Sequence, residues 1–169
     1  MGAAEKIGMG KRHHIAISFP EQRLVLSDAA GILMDVPVST GSNGPGEHMG
    51  SECTPRGRHI VRAKIGDGLA IDSVFVGRRA TGERFHPGLR EEFPDRDWIL
   101  TRILWLSGVE PGRNRLGAVD TMRRFIYIHG CPDDLVLGKP ESHGCVRMGN
   151  AEVIELFDQV PVGTPVLLK

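Results

Sequence analysis

The tripeptide His-Gly-Cys occurs twice, as His129–Cys131 in "IYIHGCPDD" and as His143–Cys145 in "ESHGCVRM". Two imidazoles and two thiols so close together have three chemical readings: a zinc site, a disulfide, or a cysteine nucleophile served by a histidine. Zinc accepts two nitrogens and two sulfurs readily. Chelating pairs, however, usually leave two to four residues between ligands so that the loop closes around the metal. Here a single glycine intervenes, which argues against His129, Cys131, His143 and Cys145 as a ligand set. A Cys131–Cys145 disulfide would leave Cys53 unpaired, and three cysteines make no disulfide scaffold.

Nucleophilic chemistry needs a thiolate, and a free thiol with a pKa of about 8.5 supplies only a few per cent of it at neutral pH. A nearby imidazole or a helix N-terminus raises that fraction. Cys131 is followed by Asp133 and Asp134, whose charges oppose ionisation. Cys145 precedes a helix expected to be capped by Asn150, and Gly144 and Gly149 let backbone amides approach a substrate. Cys145 is therefore the expected nucleophile. His143 is too close in sequence for its ring to meet the sulfur and is expected to hold the loop together. His129, at a strand end, is the expected base, arriving from across the fold with the carbonyl of Gly130 orienting its other nitrogen. Backbone N–H groups around Ser142, His143 and Gly144 are expected to form an oxyanion hole. His13, His14, His48, His59 and His86 are read as structural.

The elements that must position these groups are mostly strands. "HHIAISFP" alternates, with Ile15, Ile17 and Phe19 on one face; "EQRLVLSD" and "GILMDVPVST" follow across turns, predicting an antiparallel meander. Gly41 to Gly57 is rich in Gly, Ser and Pro and long enough to be a functional loop. "RHIVRAKIG" and "LAIDSVFVG" resume strand character, residues 78–97 read as polar and irregular, and "WILTRILWLSG" reads as a buried strand. "MRRFIYIHG" is a strand whose alternation places Phe125, Tyr127 and His129 on one face. Val153, Ile154, Phe157 and Val160 give the stripe of a helix beginning near Asn150, and "PVGTPVLLK" closes with a short strand. The expected fold is mainly β and sandwich- or barrel-like, with one helix after the second His-Gly-Cys.

At 169 residues the chain fits one domain. Residues 1–12 are expected to be a flexible segment and 13–169 a single domain. Lys+Arg and Asp+Glu balance at 21 each, so bulk charge points to no nucleic acid or acidic membrane. No window approaches the ~18–20 apolar residues of a spanning helix, and the N-terminus has no export-signal core. The expected location is the cytoplasm if the chain is complete as given, and the periplasm or cell wall if an export signal has been removed.

"IHG" followed by "SHGCVRM" resembles the signature of the L,D-transpeptidase (YkuD-type) catalytic domain family. "PVSTG" at Pro37–Gly41, "TPRG" at Thr54–Gly57 and "GTPVLL" at Gly163–Leu168 extend the resemblance over Ile15 to Leu168. It implies a β-sandwich-like domain performing cysteine acyl transfer on peptidoglycan stem peptides or muropeptides, with no cofactor and no metal. The thiolate would attack the carbonyl between the L-centre of diaminopimelate, or an equivalent diamino acid, and the terminal D-Ala of a tetrapeptide stem. The acyl group would then pass to an amine, as in a transpeptidase, or to water, as in the compact leaderless members that resemble cytoplasmic carboxypeptidases. Position by position, Cys145 is implied as nucleophile, His129 as proton donor and acceptor, and Ser142, His143 and Gly144 as loop and oxyanion hole. Arg147 is implied as a substrate-carboxylate or loop-ordering residue; Tyr127 lines the site or packs beside it. Arg78–Asp120 is the expected lid setting acceptor choice, and carbapenems are expected to acylate Cys145. Many members carry Thr where Cys131 stands, which makes the doubled tripeptide a coincidence of one substitution. From another class, the chain reads as a zinc-stabilised or catalytically idle wall-binding module.

Overall fold

The structure, a computed structural model, describes residues 12–169. The expectation for residues 1–12 lies, but for Arg12, outside them. Alternation of apolar residues builds the first strands: β1 (His14–Ser18) buries Ile15 and Ile17, and β2 (Arg23–Asp28) buries Leu24 and Leu26. With β3 (Gly31–Pro37) they form the expected antiparallel meander. β4 (Gly57–Ile65) follows the long loop. Strand character in "LAIDSVFVG" is confined to β5 (Ser73–Val76), because a turn occupies the residues before it.

Residues 78–97 depart from expectation. They contain a strand, β6 (Arg79–Arg84), hairpin-paired to β5, and a short helix, α1 (Pro87–Glu92). Glycines at 77 and 82, both at positive φ, let so polar a segment turn and pair where period-2 hydrophobicity is lacking.

β7 (Ile99–Gly108) is the apolar strand read from the sequence and the hub of the sheet. It pairs with β4, with β5, and with β8 (Tyr127–Gly130). Its register with β8 shifts between Leu100 and Ile103. Thr101 and Arg102, which break the hydrophobic pattern, occupy that bulge, with Thr101 at φ +73. β9 (Val146–Met148) pairs in parallel with β8, α2 (Asn150–Gln159) follows, and β10 (Pro165–Leu168) inserts between β1 and β4. The strand order is β3-β2-β1-β10-β4-β7-β5-β6, with β8 and β9 branching from β7. Side chains from β1, β2, β3, β4 and β10 and from β7, β8 and β9 share one core, over which α2 lays Val153, Leu156 and Phe157. The mainly β, sandwich-like expectation holds. Among the described residues no helix is long and apolar enough to cross a membrane.

Asn150 is not a side-chain cap. Gly149 occupies the N-cap, and the buried Asn150 amide bonds instead to the Cys131 carbonyl at 2.8 Å and Asp133 Oδ1 at 2.9 Å, while its oxygen accepts from Thr101. The residue welds α2 to the β7 bulge and to the segment after β8. With Asp72 Oδ1 at 3.2 Å as well, four sequence-distant partners outcompete one local capping bond.

His59 is structural, as read: it is 1% exposed, its Nδ1 3.0 Å from the Gly57 carbonyl and its Nε2 2.8 Å from Thr121 Oγ1. Burial pushes its pKa down to about 4, against about 6.5 in an unfolded chain. Between those values the unfolded chain binds the proton and the folded one does not. The contribution is complete above pH ~6.5 and is lost as pH falls towards 4, amounting to roughly 2–3 kcal/mol. Urea unfolding at pH 7 and pH 4.5 checks this: His59→Gln is weaker than wild type at pH 7 but loses less on acidification. An equal loss in both proteins would contradict it.

Candidate active site

Alternation along two parallel strands assembles the site. Ile128, Val146 and Met148 point into the core, which turns Tyr127, His129, Cys145 and Arg147 to the opposite face. The register sets His129 beside Arg147, and Cys145, next to Tyr127, one diagonal step from His129. His129 does not arrive from across the fold, as the sequence suggested. It stands on the adjacent strand, brought there by the crossover of residues 131–145 that a parallel pair requires.

The loop carrying Cys145 is clamped by backbone bonds to the two motifs upstream. The Thr40 carbonyl accepts from Glu141 N and Ser142 N, Ser42 N donates to the Ser142 carbonyl, and Ser39 and Arg147 exchange both backbone bonds at 2.9 Å. Fully buried Thr54 donates its hydroxyl to the Gly144 carbonyl and accepts from Gly41 N, both at 2.8 Å. Gly144 has φ +123, and a Cβ there would lie 3.2 Å from the Cys53 carbonyl oxygen and 3.3 Å from Ile126; only glycine fits. Ser142 Oγ donates to the Cys145 carbonyl and accepts from Gly144 N. With Gly144 N so engaged, the N–H groups of His143 and Cys145, which meet no acceptor among the described residues, are the pair free to receive an oxyanion.

Several candidate residues sit differently from expectation. The His143 side chain is exposed and makes no hydrogen bond among the described residues, so Thr40, Thr54 and Ser142 hold the loop in its place. Tyr127 is 2% exposed and packs edge-on against Trp105, presenting no surface of its own to a substrate. The Arg147 guanidinium lies 3.4 Å from Asp97 and 3.4 Å from the Glu141 carbonyl, tying the Cys145 strand to the approach to β7. Beyond Arg147 opens a cavity of about 380 Å³ lined by Arg90, Asp97, Trp98, Pro132, His143 and Arg147. Phe125 precedes β8 rather than belonging to it: at φ +57 it turns out of the alternation and exposes its ring. The expected lid at 78–120 contains β7, a core strand, so its exposed parts are β6, the segment around α1 and the 109–119 loop.

The three cysteines are free thiols. Cys131 is buried with its Sγ 3.5 Å from the Met148 carbonyl, and burial, aided by Asp133 and Asp134, pushes its pKa to about 11. Among the described residues no group of three or more His, Cys, Asp or Glu side chains is placed to hold a metal ion. Cys145 is partly exposed, its Sγ donating to the Phe125 carbonyl and accepting from Tyr127 N, both at 3.3 Å. Burial of the sulfur pushes the thiol to about 12, against the lowering effect of Tyr127 N and of the Arg147 and Arg124 charges. The helix N-terminus expected to assist is not adjacent, because β9 stands between Cys145 and α2. Burial likewise holds the fully buried His129 imidazole below its usual range. Its Nδ1 donates to the Gly130 carbonyl at 2.7 Å, the partner anticipated from the sequence, which leaves Nε2 without a hydrogen-bond partner among the described residues and open to accept a proton. The resting pair is thiol and neutral imidazole.

Sequence reasoning missed three supports. Gln22 braces the "PVSTG" segment through Thr40. Thr54 stands in a quoted motif but was given no role. Arg124 binds the carbonyls of Gly46 and Cys53, drawing the 41–57 loop over the site. The "TPRG" motif carried a signal for Thr54; an arginine bound to carbonyls carries none.

A profile of the YkuD L,D-transpeptidase catalytic domain matches residues 12–168. A putative L,D-transpeptidase of Bacillus subtilis is 47% identical over 51 residues, 30% of this chain and 29% of that protein. Among solved structures, an L,D-transpeptidase from Mycobacterium smegmatis superposes with TM-score 0.58 at 18% identity, over 95% of this chain and 59% of the other. L,D-transpeptidase 3 from Mycobacterium tuberculosis, in complex with a faropenem-derived adduct, gives 0.58 at 17% identity, over 95% and 61%. The chain thus spans about 60% of these solved relatives' length.

Two outcomes follow from the geometry. Iodoacetamide labelling of Cys145, read by peptide mass spectrometry, rises about tenfold per pH unit from pH 7 to 9, in proportion to thiolate; a plateau by pH 7 would indicate a preformed ion pair instead. Thr54→Val strands two buried backbone groups at about 1–3 kcal/mol each, lowering the thermal midpoint, whereas Thr54→Ser retains most of it.

Proposed function

The chain belongs to the YkuD family of L,D-transpeptidase catalytic domains, and on that footing we propose that it performs cysteine acyl transfer on peptidoglycan stem tetrapeptides. The observation that carries the reading is the set of Cys145, His129 and two free backbone N–H groups, fixed by the β8–β9 register and the Thr40 and Thr54 clamps.

The substrate carbonyl between the diamino acid and D-Ala enters between Cys145 and the N–H groups of His143 and Cys145. Its arrival excludes water and brings a polar partner to the thiol. The Cys145 proton passes to His129 Nε2 as sulfur bonds the carbonyl carbon, and the oxyanion is held by the two N–H groups. The C–N bond then breaks, His129 returns its proton to the leaving amine of D-Ala, and a thioester on Cys145 remains. An amine or a water attacks the thioester, His129 takes its proton, the C–S bond breaks, and the thiol is restored with that proton. Starting from a neutral pair means that no charge is buried until substrate is present. The same thiol opens a β-lactam ring, so carbapenem acylation belongs to this reading.

The test is mass spectrometry of a disaccharide tetrapeptide incubated with the protein, with Cys145→Ala as control. Free D-Ala with a tripeptide identifies water as acceptor; cross-linked dimers or exchanged D-amino acids identify an amine. Incubation with a carbapenem adds the mass of one intact drug molecule to the wild type and none to Cys145→Ala. Product that survives Cys145→Ala, or no product and no adduct, would overturn the proposal in favour of an idle wall-binding module.

A further inference from the structure

Arg78 sits at the exposed tip of the β5–β6 hairpin and has no carboxylate within 4 Å among the described residues. It is nonetheless held. Its guanidinium carbon lies 4.6 Å from the Trp105 ring and 4.9 Å from the Phe125 ring, and its Nη1 donates to the Tyr127 hydroxyl at 3.1 Å. A guanidinium seated over two rings keeps its charge, and its remaining N–H groups are unclaimed by any partner among the described residues.

The residues that hold it also hold the thiol. The Phe125 carbonyl accepts from Cys145 Sγ and Tyr127 N donates to it, while the side chains of the same two residues carry Arg78. Tyr127 thus bridges thiol and guanidinium, touching one through its backbone nitrogen and the other through its phenol, a span of one tyrosine length. That reach is comparable to the chain of a diaminopimelate residue between its acyl carbon and its far carboxylate. The directions agree as well. His129 lies beyond Cys145 in one direction along β8 and Phe125 in the other. The D-Ala amine must leave towards the imidazole that protonates it, so the acyl half of the substrate extends towards Phe125 and Arg78. The exposed Phe125 ring provides an apolar shelf for the intervening methylenes.

We infer that Arg78 is the specificity-determining residue for position three of the stem, binding the side-chain carboxylate of a diamino dicarboxylic acid and disfavouring lysine or a carboxamide there. This rests on the acyl-transfer reading. A charged, bidentate contact of this kind corresponds to about tenfold or more in kcat/KM.

The experiment compares D-Ala release or exchange from two tetrapeptide stems, one with diaminopimelate at position three and one with its far carboxylate amidated. Wild type is expected to favour the free carboxylate by at least about tenfold. Arg78→Met, which preserves the aliphatic packing, is expected to bring the ratio within about twofold, and Arg78→Lys to restore part of it. Equal rates in wild type, or a ratio that Arg78→Met leaves intact while slowing both stems, would overturn the assignment. Turnover of neither stem, against the Cys145→Ala background, would instead bring down the acyl-transfer reading and this assignment with it.

Discussion

β8 and β9 run side by side in the same direction, and nearly everything in the site depends on that short ladder. A parallel pair cannot be closed by a tight turn, so the chain must travel from residue 131 to 145 before it returns. The return path brings Ser142, His143 and Gly144 to the start of β9 as an irregular segment, where the amides of His143 and Cys145 meet no acceptor among the described residues. Had the strands been antiparallel, a hairpin would have spent those amides in the ladder. The edge of β9 is sealed by Ser39 and Thr40, which explains why a meander strand must end in a polar, small-residue stretch that approaches a backbone from the side.

The electrostatics of the pair follow from depth. His129 lies under the strand face, 1% exposed, and the sulfur of Cys145 is drawn into backbone groups of Phe125 and Tyr127. Burial disfavours the charged form of each. The nearby cations Arg124 and Arg147 oppose that effect at the sulfur without overcoming it. A thiol kept neutral in this way is protected from oxidants and stray electrophiles, which react with thiolate. Cys131 is protected more simply, by complete enclosure.

Much of the scaffold was legible in the sequence, because the first strands and α2 each bury one face and so carry a period, while β7, buried on both faces, reads as a continuous apolar run. The proximity of Cys145 and His129 was legible too, as was the Gly130 carbonyl behind His129, since that partner is a neighbour in the chain. What escaped notice depends on contacts between distant residues or on backbone angles. The turn at Phe125 needs a positive φ that its aromatic identity hides. Asn150 has the composition of a cap but is recruited by Thr101, Cys131 and Asp133, none of which is local. His143 reads as a loop-holding residue because it is too close in sequence to Cys145 for its ring to meet the sulfur, yet exposure depends on which way a loop faces, and no pattern of residue types records that. β6 is polar on both faces and has no hydrophobic period to announce it.

The ends of the domain are joined in an unusual way for neighbours in a sheet. β1 and β10 pair in parallel, Ile15 opposite Val166 and Ile17 opposite Leu168, extended by bonds between Lys169 and both Ile17 and Phe19. The start of β1 and the end of β10 therefore sit at opposite ends of one ladder. Tension applied through the two ends loads all of its hydrogen bonds at once, in shear, rather than peeling them one by one. A domain tethered on both sides would resist stretching with its whole first-to-last strand seam, while β8 and β9 lie several positions away in the sheet.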